Sequence, residues 1–159
     1  MLTHNGVDPA GAPVVSVEWI EYAERSLAQA GYRTGAARRA VIELLGGDTC
    51  ALTASEIEDR LRDQGRAVGR ASVYRTLEQL DELHLVSRLD VGSGTARYEA
   101  ALPSGEHHHH LVCDTCGKVQ PFEDPELESA IERVATKVGS FTVGEHDIVL
   151  HGECSTCAA

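Results

Sequence analysis

The chain of 159 residues lacks any apolar run of the ~18 to 20 residues that a membrane-spanning helix needs. It also lacks the basic N-terminal segment and following apolar segment that are typical of a secretory signal. With 42% apolar and 25% charged residues, its composition is that of a globular protein. We therefore expect a cytoplasmic protein with one medium domain or two small ones.

Signatures of catalysis are missing as well. The sequence contains no His-Glu-x-x-His motif and no evident pair of nucleophile and base. Histidine and glutamate side chains around a metal can activate water, but without these signatures we predict that the protein is not an enzyme.

Basic residues are scarce, since 14 Lys and Arg face 25 Asp and Glu and the net charge is −11. This balance argues against a nucleic-acid partner unless the charge is unevenly distributed. Residues 31–89 carry nine basic and nine acidic side chains, whereas residues 90–159 carry four and twelve. The asymmetry predicts two functional halves, the second of which bound cations would partly neutralise.

The first half has the pattern of a winged helix-turn-helix. Residues 1–15 are rich in Gly, Pro and Ala and are predicted to be disordered. Helical patterns follow in "VEWIEYAERSLAQAG", in "TGAARRAVIELLGG", where Gly46–Gly47 is the predicted stop, and in "TASEIEDRLRDQG", where Thr53 and Glu56 have capping-box spacing. After a fourth helix, "LVSRLDV", "GSG" and "TARYEA" predict a two-stranded hairpin.

The fourth helix, "ASVYRTLEQLDELHLV", is the candidate recognition helix. Val73, Leu77 and Leu80 share one face, and Tyr74 and Arg75 lie on the opposite one. A recognition helix would present Tyr74 and Arg75 to the major groove of DNA. The alternative is a small helical subdomain in which both side chains merely face solvent.

The second half predicts a small α/β unit. Two short strands, "HHHHLVCD" and "GKVQPF", precede the helix "DPELESAIERVATKVG", which carries a Leu127/Ile131/Val134/Val138 stripe. A final strand is predicted in "FTVGEHDIVLHGEC". The fold class is α+β, with a winged-helix domain at 16–100, a hinge at 101–106 and the α/β domain at 107–159.

Four of the five cysteines form two Cys-x-x-Cys pairs, Cys113 with Cys116 and Cys154 with Cys157. Each pair lets one turn offer two thiolates to the same ion, and two such turns complete tetrahedral Zn–S4 coordination. In a cytosolic chain this favours a structural zinc over disulfides or free thiols. Cys50 stands alone.

The histidine run in "EHHHHLVCDTCGKV" alternates between two faces if it is extended, because successive side chains of a strand point in opposite directions. His107 and His109 would then share one face, and His108 and His110 the other. One run can thus supply two metal sites, with further ligands from Glu99, Glu128 and His146. The alternative is a solvated surface run; its internal position makes an affinity tag a poor explanation.

Together, "ASVYRTLEQLDELHLV", "ARYE", "HHHHLVCDTCGKV" and "HGECSTC" resemble the ferric uptake regulator (Fur) family of metal-dependent repressors. The resemblance covers about residues 17–157 and implies a dimer with an N-terminal winged helix and a C-terminal α/β dimerisation domain. It also implies that metal bound between the domains favours binding to a pseudo-palindromic operator in double-stranded DNA, which would control metal homeostasis genes.

The resemblance assigns residues to five roles. It implies a structural zinc at Cys113, Cys116, Cys154 and Cys157; a regulatory interdomain site at Glu99, His108 and His110; and a second site in the dimerisation domain at His107, His109, Glu128 and His146. Tyr74 and Arg75 match residues that approach bases, and Arg38 matches one that contacts phosphate. Ser72 on the recognition helix and Arg70, just before that helix, are further expected DNA contacts.

Two departures from the family pattern leave questions open. Many members supply a regulatory histidine from the DNA-binding domain, and this position is Ala51 here. Either Cys50 substitutes for the histidine, or water completes the coordination shell, or the regulatory site is weakened. The linker cysteine common in zinc-sensing members is absent between Arg88 and Glu106. Fe(II) is the first candidate for the regulatory metal, and Zn(II) or Mn(II) come next. The remaining alternatives are a peroxide-sensing regulator of this fold and a metal storage or chaperone protein without DNA binding.

Overall fold

The computed structural model describes residues 17–48, 50–92, 94–101, 108–144 and 146–158. The chain divides into two compact units, Met1–His107 and His108–Ala159, and both mix helices with a small three-stranded sheet. The α+β class is therefore confirmed. The predicted disordered tail and residues 102–106 of the predicted hinge lie outside the described residues. None of the described helices is both long and apolar enough to cross a bilayer.

Among its described residues, the first unit has four helices and a sheet of three short strands. Strand order is β1-β3-β2, and both pairings are antiparallel. The predicted hairpin is confirmed as β2 and β3, but β1 was not predicted, because two residues are too few for an alternation pattern. In chain order the elements are α1 (Val17–Gln29), α2 (Ala36–Gly47), β1 (Leu52–Thr53), α3 (Ala54–Asp63), α4 (Arg70–Glu82), β2 (Val86–Asp90) and β3 (Ala96–Ala100).

The core of this unit is apolar and draws on every helix. Val73, Leu77 and Leu80 of α4 are buried, as their common face predicted. Trp19 of α1 is buried as well, and its indole Nε1 donates a hydrogen bond to the Leu85 carbonyl at 3.0 Å. The one polar atom of that ring is therefore satisfied, and α1 is tied to the residue that precedes β2.

Two helix ends lie where the sequence predicted them. The capping box of α3 is confirmed: the Glu56 N–H donates to Thr53 Oγ1 at 3.1 Å, and the Thr53 N–H donates to Glu56 Oε2 at 2.8 Å. The predicted stop at Gly46–Gly47 is confirmed, since α2 ends at Gly47 and Asp48 is its C-cap. Gly46 also lies where a Cβ would come within 2.5 Å of Ile20 Cγ1, so its missing side chain permits close packing of α2 on α1.

The fourth helix ends earlier than "ASVYRTLEQLDELHLV" suggested. Helix α4 stops at Glu82, and His84 adopts a left-handed conformation with φ 53°. The chain therefore turns out of the helix before Val86, where β2 begins.

The second unit contains β4 (His109–Cys113), β5 (Val119–Phe122), α5 (Pro125–Val138) and β6 (Val149–Gly152). Strand β4 is central, antiparallel to β5 and parallel to β6. The predicted final strand is much shorter than expected: β6 begins at Val149 and pairs with residues 110–113 of β4.

Helix α5 begins and ends as predicted. The Asp124 side chain accepts hydrogen bonds from the N–H groups of Glu126 and Leu127 at 2.8 and 3.1 Å, and Gly139 closes the helix with φ 64°. Its apolar stripe is only partly covered, since Val134 and Val138 are 59% and 53% exposed.

Candidate metal centres and nucleic-acid interface

The two Cys-x-x-Cys turns meet at one end of the second sheet. Strand β4 ends at Cys113 and pairs in parallel with β6, with Cys113 opposite Gly152, so both turns leave the sheet at the same edge. The four sulfurs lie within 4.8 Å of one another. The Sγ atoms of Cys116 and Cys154 are 3.8 Å apart. Zn–S bonds of about 2.3 Å give a tetrahedron with edges of about 3.8 Å, and so the donor set fits zinc.

Hydrogen bonds to the cysteine sulfurs shift the pKa values of these thiols in opposite directions. The pKa of Cys113 is lowered to about 6, chiefly because the Cys154 N–H donates to its sulfur at 3.4 Å, with a further backbone contribution from Cys116. The pKa of Cys157 is raised to about 12, because its hydrogen bonds to Cys116 and then to Cys154 favour the protonated thiol. Four thiolates cannot form together so close to one another without a cation, which is the requirement a zinc ion meets.

Polar side chains next to the cysteines also join the two turns. His151 Nδ1 lies 2.8 Å from Asp114 Oδ1, and Thr115 Oγ1 donates to Glu153 Oε1 at 3.2 Å. Sequence reasoning missed these contacts, because their only signal is that each residue stands one to three positions from a cysteine. They hold the turns together outside the sulfur cluster.

A second cluster joins β4, α5 and the segment before β6. His109 Nε2 is 2.5 Å from Glu128 Oε1, and His146 Nε2 is 3.1 Å from Glu128 Oε2. His109 is buried, and one ligand atom from each of the three residues lies within 4.8 Å of the others. Two imidazoles and a carboxylate suit Zn(II), Fe(II) or Mn(II). His107, the fourth predicted ligand here, lies outside the described residues.

His108 and His110 form a separate pair in the same unit. Their ring centroids are 4.8 Å apart, whereas the His109 ring lies 5.4 Å from that of His146. The predicted alternation of the run is therefore present in these three histidines. Glu99, the third predicted regulatory ligand, is half-buried on β3 of the first unit, opposite Ser87. Their joint role as a regulatory site stays a prediction.

The position where the family pattern leads us to expect a histidine has no ligand side chain. Ala51 is buried, and its carbonyl accepts a hydrogen bond from Arg97 Nη1 at 3.0 Å. Cys50 is half-buried, and its N–H donates to Asp48 Oδ1 at 3.1 Å.

The outer face of α4 carries the predicted DNA-contacting residues. Tyr74 is 48% exposed and Arg75 is exposed, while Ser72 is half-buried and its carbonyl accepts a hydrogen bond from Thr76. Arg70, in the first turn of α4, is exposed and donates through Nε to Glu58 Oε2 at 2.9 Å. The face is thus accessible and carries two guanidinium groups.

Arg38 is more constrained than its predicted role suggested. Its Nη2 donates to Gln79 Oε1 at 2.7 Å, and the guanidinium lies 5.6 Å from the centroid of the Tyr32 ring. The side chain is therefore anchored to α4, and its contact with phosphate stays a prediction.

The first unit has an exposed helix face with tyrosine and arginine, and the second unit is rich in candidate metal ligands. The two together in one chain define a class of metal-responsive DNA-binding regulators. The ferric uptake regulator family model matches residues 29–151. The ferric uptake regulation protein of Bacillus subtilis is 32% identical over 140 residues, which are 87% of this chain and 93% of that protein.

Solved structures agree with this assignment. The Vibrio cholerae ferric uptake regulator matches with a TM-score of 0.73 and 32% identity over 82% of this chain and 98% of that one. The Helicobacter pylori regulator, described as having three functional metal binding sites, matches with a TM-score of 0.76 and 29% identity over 89% and 93%. The chain belongs to the ferric uptake regulator family, whose members are metal-responsive, DNA-binding transcription regulators.

Proposed function

We propose that this protein is a cytoplasmic, dimeric repressor that binds a pseudo-palindromic operator when a divalent metal, Fe(II) first and Zn(II) or Mn(II) next, occupies its regulatory site. The observation that carries the proposal is the combination of an exposed Tyr74–Arg75 face on α4 with clustered metal ligands in the second unit. A storage or chaperone protein would need the ligands but would have no use for that face.

Three ligand sets support three metal roles. The four-cysteine cluster suits a closed structural zinc site, and His109, Glu128 and His146 suit a second site within the same unit. We assign Glu99, His108 and His110 to the regulatory site. The Helicobacter pylori relative, with its three functional metal binding sites, gives a precedent for this number.

The mechanism follows from linkage. A bound divalent metal would supply coordination energy that is available only when its ligands from both domains are together. Glu99 stands on the wing strand, and His108 and His110 follow the predicted hinge, so their joint ligation would restrict the orientation of the winged helix. A ~10²-fold preference of the metal for the DNA-binding arrangement is worth about 2.7 kcal/mol, which is ample to switch a repressor.

An exposed apolar surface supports a dimer. Val134 and Val138 of α5, with Phe141 and Val143 after it, are each about half to three-quarters exposed and line an open groove of about 420 Å³. Apolar patches of this kind mark surfaces that another chain covers. A symmetric dimer would also explain a two-fold operator.

The decisive experiment selects DNA from a random duplex library with the full-length protein under a panel of divalent metals, and then measures binding to the selected sequence by fluorescence anisotropy. We expect one palindromic motif, metal-dependent affinity and a steep loss of affinity as salt rises. If no metal yields specific, salt-sensitive binding, the repressor proposal is wrong.

A further inference from the structure

Most arginines of the first unit form salt bridges with carboxylates. For DNA binding it therefore matters which guanidinium nitrogens of the arginines on α4 are still available. Among the described residues, Arg39 pairs with Glu24, Arg60 with Asp48, Arg66 with Glu43, and Arg97 with Glu56. Arg70 also forms a salt bridge, with Glu58 of α3, and it lies on the face that we predict to contact DNA.

Glu58 is itself held firmly. Its Oε2 accepts from Arg70 Nε at 2.9 Å, and its Oε1 accepts from Arg62 Nη2 at 3.3 Å. Only 17% of its side chain is exposed, compared with 67% for Arg70. A carboxylate fixed on both oxygens is a rigid support for a long side chain that would otherwise sample many rotamers.

The way Arg70 is held leaves its binding edge available. The hydrogen bond to Glu58 uses Nε, and no acceptor in the described part of the chain bonds its two terminal nitrogens. These two nitrogens form the fork that binds a pair of acceptors, such as two phosphate oxygens or guanine O6 and N7. Arg70 lies one turn before Tyr74, at the N-terminal end of α4, and that end of a recognition helix contacts base edges.

We propose that Glu58 is a positioning residue for DNA binding: it fixes Arg70 so that both terminal guanidinium nitrogens face the operator. This inference rests on the proposed function of the protein as a DNA-binding repressor. The acceptor is a bidentate group of the duplex, either a phosphate or a guanine edge.

Replacing Glu58 has two opposing effects that a matched control separates. Glu58→Gln weakens the support of Arg70, because a neutral amide with one acceptor oxygen replaces a carboxylate with two, but it also removes a negative charge that repels DNA. Asp59→Asn removes the same charge one residue later, at a side chain that is 59% exposed and forms a salt bridge with Arg62. We expect Asp59→Asn to bind the operator as tightly as the unmodified protein or more tightly, and Glu58→Gln to bind roughly three- to tenfold more weakly, the cost of ordering one long side chain.

The test measures operator affinity by anisotropy at several salt concentrations for the metal-loaded, full-length protein. Its variants are Glu58→Gln, Asp59→Asn, Arg70→Ala and the double variant Glu58→Gln with Arg70→Ala. Positioning predicts that Glu58→Gln weakens binding only when Arg70 is present. An equal loss in the Arg70→Ala background would report damage to the fold and overturn the proposal, as would Glu58→Gln binding as tightly as Asp59→Asn.

Arg70→Ala also identifies the acceptor. A phosphate contact predicts a uniform loss across sequences and a salt slope that is smaller by about 1, whereas a guanine contact predicts relaxed specificity at one position. Failure of the unmodified protein to bind any selected duplex would overturn the repressor function itself, which keeps that outcome separate from failure of the Glu58 proposal.

Discussion

Cys113 is the residue on which both cysteine turns of the second unit converge. It ends β4, belongs to the first turn, and accepts a hydrogen bond from the N–H of Cys154 in the second. We predict that Cys113→Ser releases one equivalent of zinc and unfolds the second unit, because the binding energy of a structural zinc is folding energy in so small a unit. Zinc content and circular dichroism measure both effects.

Cys50→Ser is the control for loss of a thiol. Cys50 lies in the first unit, outside the four-cysteine cluster, and this variant should keep its zinc and its folded second unit. A Cys113→Ser protein that retained zinc with native stoichiometry would refute the structural site.

Glu128 joins the two imidazoles of the second cluster through its separate oxygens. Glu128→Gln leaves the shape of the side chain but removes the anionic ligand, and so we predict a loss of metal affinity at this site of roughly tenfold or more. A titration with Co(II), followed by absorbance, measures it. Glu132→Gln, one turn further along α5 and exposed, should titrate like the unmodified protein. Equal affinities for both variants would exclude Glu128 as a ligand.

At the scale of elements, the contact between α1 and α2 depends on Gly46. A Cβ at this position would lie 2.5 Å from Ile20 Cγ1 and 3.2 Å from Trp19 Cε3. We predict that Gly46→Ala lowers the free energy of unfolding by about 1 to 3 kcal/mol through overpacking. Gly47→Ala meets nothing within 4 Å and should be neutral or slightly stabilising. Urea unfolding of both variants checks the difference, and equal midpoints would contradict it.

The open face of α5 makes a second prediction at this scale. Val138→Lys places a charge in the apolar groove that we assign to the dimer, and we expect a monomer at concentrations where the unmodified protein is a dimer. Thr136→Lys adds the same charge to an exposed position about half a turn away and should leave the dimer intact. Sedimentation velocity distinguishes them. A Val138→Lys dimer of normal stability would rule out this face as the interface.

For the whole molecule, the regulatory site should be separable from folding. We predict that His108→Ala combined with His110→Ala gives a folded dimer that keeps its structural zinc but whose operator affinity no longer depends on metal. These imidazoles are distinct from the four sulfurs and from the second cluster, which explains why stability should survive. Anisotropy with and without metal measures the response.

His84→Asn is the control for loss of an imidazole, because Asn tolerates the left-handed backbone found at His84. This variant should respond to metal normally. If the operator affinity of the double histidine variant depended on metal as in the unmodified protein, the assignment of the regulatory site would be wrong.

Much of the fold was predictable from local pattern. The capping box of α3, the Asp124 cap of α5 and the buried face of α4 depend on residues three or four positions apart, and the structure has all three. The features that the sequence did not predict depend on distant partners. Gly46 belongs to the predicted helix stop, but its close packing depends on Ile20 of another helix. The final strand is shorter than expected, since β6 pairs with residues 110–113 of β4.

The candidate metal ligands show the same difference between local patterns, which were predictable, and distant partners, which were not. Cysteine spacing and strand alternation in the histidine run were sufficient to group the sulfurs and to separate His109 from His108 and His110, because those relations are set by chain geometry. The hydrogen-bond partners contributed by other elements were not predictable. Glu58 stands twelve residues from Arg70, and His151 stands 37 from Asp114, with no periodicity to connect them.

The α+β class, the family and the candidate metal ligands could all be predicted from the amino-acid sequence, because each of these is carried by residue types at short, fixed spacings. The close packing at Gly46, the open apolar face of α5 and the hydrogen bond from Arg70 Nε to Glu58 emerged only with the folded chain. Spacing fixes which side chains share a helix face or a turn, whereas contacts between elements exist only after those elements pack.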